Sequence, residues 1–123
     1  MEAKLYYPNM QNFTMEVKGK KILCDGEGYL LDLEAWSKDY VRASAEREEL
    51  ELTDEHWQVV YFIREFHDKH GVQAPVRDMI KHFKKAWGKE KGNSKYLHKI
   101  FPKGGPQKQG NRFAGVRKPK GEH

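Results

Sequence analysis

The 123 residues, 37% apolar and 33% charged with three Trp, six Tyr and six Phe, are enough for one cored domain and exclude a wholly disordered chain. No apolar run approaches the roughly 20 residues needed to cross a bilayer, and MEAKLYYPNM lacks a signal-peptide stretch, so a soluble, cytoplasmic protein without a membrane partner is expected. The net charge of +5 hides a split: residues 1–70 hold nine Lys/Arg against fifteen Asp/Glu, residues 71–123 fourteen against three, so partners of the second half should be acidic.

Residues 1–13 carry a Pro-Asn pair and no clear period, which reads as a loosely held extension. In TMEVKGKKILCD, Met15 and Val17 alternate with polar neighbours, Lys18-Gly19 can turn, and Ile22 and Leu23 resume an apolar strand. A short β-hairpin results. The glycines of DGEGYL mark a turn, after which Leu33, Trp36 and Tyr40 fall at helical spacing and predict a first helix over about 36–48.

Thr53 is a good N-cap, and Asp54 and Glu55 sit where the helix dipole favours negative charge. Val59, Phe62, Ile63 and Phe66 follow at i, i+3, i+4 and i+7, and Gly71 closes a helix of 54–69. Pro75 suits a first helical turn, and Val76, Met79, Ile80, Phe83 and Trp87 form a second amphipathic stripe to Gly88. GNSKYLHKIF gives a shorter third helix, capped by Asn93 or Ser94. The expected body therefore spans 14–101.

The last 22 residues contain five Gly, three Pro and six Lys/Arg against Phe113 and Val116 as the main hydrophobes. That composition predicts a flexible basic arm over 102–123, with a short helix near Gln107 to Phe113.

Candidate chemistry is sparse. A single cysteine, Cys24, excludes an internal disulfide and a multi-cysteine metal cage, and its place in an apolar strand reads as a packed small hydrophobe. His67 and His70 lie at i, i+3, with His82 and His98 elsewhere, but no cysteine or carboxylate stands at a recognisable ligand interval, so neither a metal nor a cofactor is implied. Phosphate-loop and nucleophile-elbow motifs are absent. The pair 54–69 and 75–87 has a helix-turn-helix-like layout whose second member carries Arg77, Lys81, Lys84 and Lys85, which makes nucleic-acid binding an alternative function.

At HW-x-x-V-x-x-I-R (His56 to Arg64), A-P-x-R (Ala74 to Arg77), EKGNSKYLHKIFPKG (Glu90 to Gly104) and AG-x-x-KP (Ala114 to Pro119) the chain resembles the DsrC/TusE family, which includes the gamma subunit of dissimilatory sulfite reductase. The resemblance covers about residues 15–123. It implies a mainly α fold, an orthogonal helical bundle with a small N-terminal β-hairpin and a mobile C-terminal arm. It also implies sulfur trafficking as a cysteine persulfide, toward tRNA thiolation or to and from sulfite reductase, with a relay or sulfite-reductase-type protein as partner.

That chemistry rests, in the family, on a cysteine in the penultimate position of the arm, aided in one branch by a second cysteine eleven places earlier. The frame set by Ala114-Gly115 and Lys118-Pro119 puts Glu122 at the first position and Asn111 at the second. A carboxylate cannot carry a persulfide, because sulfur exchange needs a thiolate that forms and breaks an S–S bond. The expectation is a docking or regulatory variant without catalytic residues, whose Lys103, Lys108, Arg112, Arg117 and Lys118 steer the arm to a partner with Phe113 as apolar anchor. A working sulfurtransferase using Cys24 is the remaining alternative.

Overall fold

The computed structural model describes residues 12–116; the expected N-terminal extension up to residue 11, and Arg117, Lys118 and Glu122, lie outside the described residues. The hairpin forms as the alternation dictates. Strand β1 (Phe13–Val17) pairs antiparallel with β2 (Lys20–Cys24), in a register that sets Phe13 opposite Cys24 and Val17 opposite Lys20. Lys18 and Gly19, at φ of +50° and +80°, make the two-residue turn whose twist matches that of the strands. Met15, Val17 and Cys24 face inward and join Leu30 and Tyr40 in a small cluster beneath the hairpin.

The helix expected over 36–48 forms over most of that span, and the Leu33 end of its apolar spacing is a separate turn. A 3₁₀ turn, Leu33–Ala35, ends at Trp36, and Ser37 in extended conformation starts helix α1 (Lys38–Arg47) by accepting the Tyr40 amide on Oγ at 3.1 Å. A Ser at an N-cap satisfies a free first-turn donor, and this one breaks the apparent run. Helix α2 (Asp54–His70) begins at Thr53, whose backbone N–H donates to His56 Nδ1 at 3.0 Å. The acceptor role of Nδ1 leaves the proton on Nε2, which donates to the Ile100 carbonyl at 2.7 Å. His56, the first residue of one family motif, thus ties the start of α2 to the end of α4 (Ser94–Ile100).

Between them lies α3 (Val76–Trp87). On α2, Val59, Val60 and Ile63 are fully buried, whereas Phe62 and Phe66, expected on the same face, are half-buried. The Phe62 ring lies at the seam with α3, 5.5 Å from Phe83 and 4.7 Å from His82, and the Phe66 ring lies 6.1 Å from Phe62. Asn93 caps α4, accepting the Tyr96 amide at 2.8 Å.

After α4 the chain passes through a π-helical turn (Pro106–Gly110) into the one-turn helix α5 (Asn111–Ala114). The stretch from Pro102 to Val116, expected as part of a loose arm, is packed instead, because Phe113, Ala114 and Val116 fill the main core against Val59, Ile63 and Phe101. Phe113 alone, fully buried, contributes roughly 1.5–3 kcal/mol of transfer free energy. Among the described residues no helix is long and apolar enough to cross a membrane.

Candidate functional site

The site is built around how the chain is held up to Val116, the last described residue. Helix α5 closes with the Val116 amide donating to Asn111 O at 3.1 Å and the Gly115 amide to Arg112 O at 3.2 Å, a Schellman pattern that needs a left-handed residue. Gly115 supplies it at φ +73°, and a Cβ there would stand 2.8 Å from Trp36 Cδ1 and 3.1 Å from Leu30 Cδ2. Conformation and contact both require glycine.

Two further helix-end carbonyls are taken by side chains from far away in sequence. Trp36 Nε1–H donates to Phe113 O at 2.8 Å, and Arg64 Nη1 donates to Ala114 O at 2.7 Å. The Arg64 guanidinium also lies 3.9 Å over the Trp36 ring, so each holds the other in place. Burial lowers the Arg64 pKa from its ordinary value, while the Asp68 carboxylate opposes that shift. Arg64 ends the HW-x-x-V-x-x-I-R motif and Trp36 reads in the sequence only as an apolar residue; the fold gives both their role. A cavity of about 430 Å³ opens beside this clamp, with Glu34, His67 and Asp68 on its wall.

The segment before α5 is fixed to α1 by a nearly buried polar network. Arg112 grips Glu48 with two bonds, Nε to Oε2 at 3.0 Å and Nη2 to Oε1 at 2.8 Å, and Nη2 also donates to Lys103 O at 2.8 Å. Gln109 Nε2 donates to the same Glu48 Oε1 at 2.8 Å, and Gln109 Oε1 accepts the Lys103 amide at 3.0 Å. Burial alone would lower the Arg112 pKa; Glu48 outweighs it and holds the guanidinium above its ordinary value. The Tyr40 hydroxyl, between Gly28 O at 3.1 Å and Arg112 O at 3.2 Å, locks the Gly-rich turn to α5, and burial raises its pKa.

The structure places the residues of the expected docking set in different surroundings. Phe113, expected as an anchor for a partner, is fully buried, and Arg112 is committed to Glu48, because α5 turns both toward the body. Lys103 and Lys108 are exposed. Asn111 is fully buried; Nδ2 donates to Gln107 O at 2.6 Å and Oδ1 has no hydrogen-bond partner. Cys24 is fully buried under the hairpin, and burial pushes its thiol pKa up despite the nearby Arg47. Arg77, Lys81, Lys84 and Lys85 are exposed along α3, an arrangement that a solvated helix face already explains. Among the described residues no three His, Cys, Asp or Glu side chains converge as a metal-ligand set.

The fold and motifs meet known proteins at this point. The family described as DsrC like protein matches residues 16–121. The chain belongs to this DsrC/TusE family of sulfur-relay proteins. The sulfurtransferase TusE of Pectobacterium atrosepticum is 43% identical over 105 residues, covering 85% of this chain and 95% of that protein. The NMR structure of Allochromatium vinosum DsrC superposes with a TM-score of 0.79 at 42% identity, over 92% of this chain and 100% of that one. The oxidized gamma-subunit of dissimilatory sulfite reductase from Archaeoglobus fulgidus gives 0.82 at 39% identity, over 90% and 100%. In DsrC/TusE terms, the quoted motifs map onto packing: His56 pins two helices, and Arg64 and Gly115 fix the end of α5.

Proposed function

We propose that this chain is a sulfur-relay family member that keeps the docking body and has given up sulfur transfer, acting as a regulatory or competing subunit. The observation that carries the reading is the pair Glu122 and Asn111 at the spacing, counted from Ala114-Gly115 and Lys118-Pro119, where the family places its thiols. Neither a carboxylate nor an amide can form the S–S bond of a persulfide. The one thiol present, on Cys24, is buried at the hairpin with a raised pKa, the opposite of the exposed, acidified thiolate that exchange requires. Both facts favour this reading over transfer through Cys24.

Retention of docking is supported by retention of the body: Trp36, Arg64 and Gly115 still hold α5 in the fold shared with the DsrC relatives. The candidate partners are proteins of the kinds named for the relatives, a TusE-type sulfurtransferase relay or a dissimilatory sulfite reductase. Presenting the purified chain to such a partner, with and without a thiol-bearing relative as competitor, tests the proposal. The expected result is a complex that excludes the competitor and gains no sulfur; absence of any complex overturns it.

A further inference from the structure

Cationic side chains from separate stretches of the chain converge on one groove, and we infer that it docks a carboxylate-rich segment of a protein partner. The groove, about 440 Å³, lies between the Gly-rich turn at Gly26–Tyr29, the end of α1 at Arg47, and the segment carrying Lys103, Lys108 and Arg112. Those four cations face two carboxylates, Glu27 and Glu48, an excess of two positive charges. Arg112 and Glu48 satisfy each other, and the groove's net positive charge comes from Arg47, Lys103 and Lys108 set against Glu27.

The turn is shaped for this convergence. A Cβ on Gly28, which sits at φ +97°, would stand 2.5 Å from Arg47 Nη2 and 3.3 Å from Arg112 Cδ, so a side chain at this position would push the two arginines off the loop. Arg47 Nη2 stands 3.9 Å from Glu48 Oε2, too far for a strong hydrogen bond, and its side chain is 41% exposed. It is therefore held in position with donors to spare. A guanidinium already fixed loses less freedom when it takes a second carboxylate, and a net excess of one sign in a cleft raises the local concentration of the opposite charge. Arg77, Lys81, Lys84 and Lys85, spread along one helix surface, have neither advantage.

A single tetrahedral anion would fill only part of this space, whereas the spaced carboxylates of a peptide would occupy more of it. The inference extends the docking reading above, but its probe is independent of the relay partner. Hexaglutamate peptide would be titrated into the ¹⁵N-labelled chain, with sulfate in a parallel series. The expected result is saturable amide shifts confined to residues 25–29, 47–48 and 103–112. Lys103→Glu/Lys108→Glu, both exposed, should weaken binding about tenfold. Lys84→Glu/Lys85→Glu should leave it unchanged. Shifts centred on α3, equal weakening by the α3 pair, no saturable shift, or sulfate reproducing the shifts at the same concentration would each overturn the inference.

Discussion

Replacing Glu48 by alanine probes the joint that turns the C-terminal segment from a tail into part of the core. The Glu48 and Arg112 side chains are 8% and 12% exposed, and the carboxylate holds a bidentate pair with Arg112 and a bond from Gln109, itself fully buried. Removing it strands a guanidinium and an amide away from water. Loss of one member of a buried pair costs about 3–5 kcal/mol, a large part of the roughly 5–15 kcal/mol that a domain has. Replacing both partners, as in Glu48→Met/Arg112→Met, leaves no orphaned charge and should cost much less than Glu48→Ala alone. Urea unfolding followed by tryptophan fluorescence reads the difference as a shift in midpoint at unchanged slope. A loss below about 1 kcal/mol for Glu48→Ala would refute the reasoning, since that is the worth of a solvated surface pair.

Gly115→Ala should destabilise by about 2–4 kcal/mol, combining the left-handed penalty with overpacking against Trp36 and Leu30, as read by thermal melting. For Glu55, burial raises the pKa, but bonds from Tyr96 and Lys91 outweigh it and hold the carboxyl below its ordinary 4.5. A depressed folded-state pKa stabilises above the unfolded value and loses that stabilisation as pH falls. The stability difference between wild type and Glu55→Gln should thus be present at neutral pH and shrink below pH 4.5 as the folded carboxyl is protonated, which denaturant titrations across that range would check. Cys24, buried with a raised pKa, should resist iodoacetamide in the folded chain at neutral pH and react fully once unfolded, as intact mass will report.

What the sequence revealed follows from where each signal lives. The hairpin and the helices from Asp54 to Ile100 were legible because caps, alternation and helical spacing are local, and Thr53, Asn93 and the Lys18-Gly19 turn all act within a few residues. The segment from Pro102 to Val116 reads as a loose arm because its Gly and Pro content is local too, while what holds it is not. Its partners Trp36, Glu48 and Arg64 lie 50 to 77 positions away. Arg112 and Phe113 look like a free cation and a free anchor until that packing is known. The absence of thiols at Glu122 and Asn111, by contrast, needed only the motif frame.

Docking without sulfur transfer can be checked by the mass of the intact chain after incubation with a persulfide donor. Wild type should gain no sulfur, while a Cys24→Ala/Glu122→Cys variant, with the thiol restored to the arm, should gain one atom and release it to an acceptor. A sulfur adduct on the wild-type chain that turns over between donor and acceptor would contradict the account.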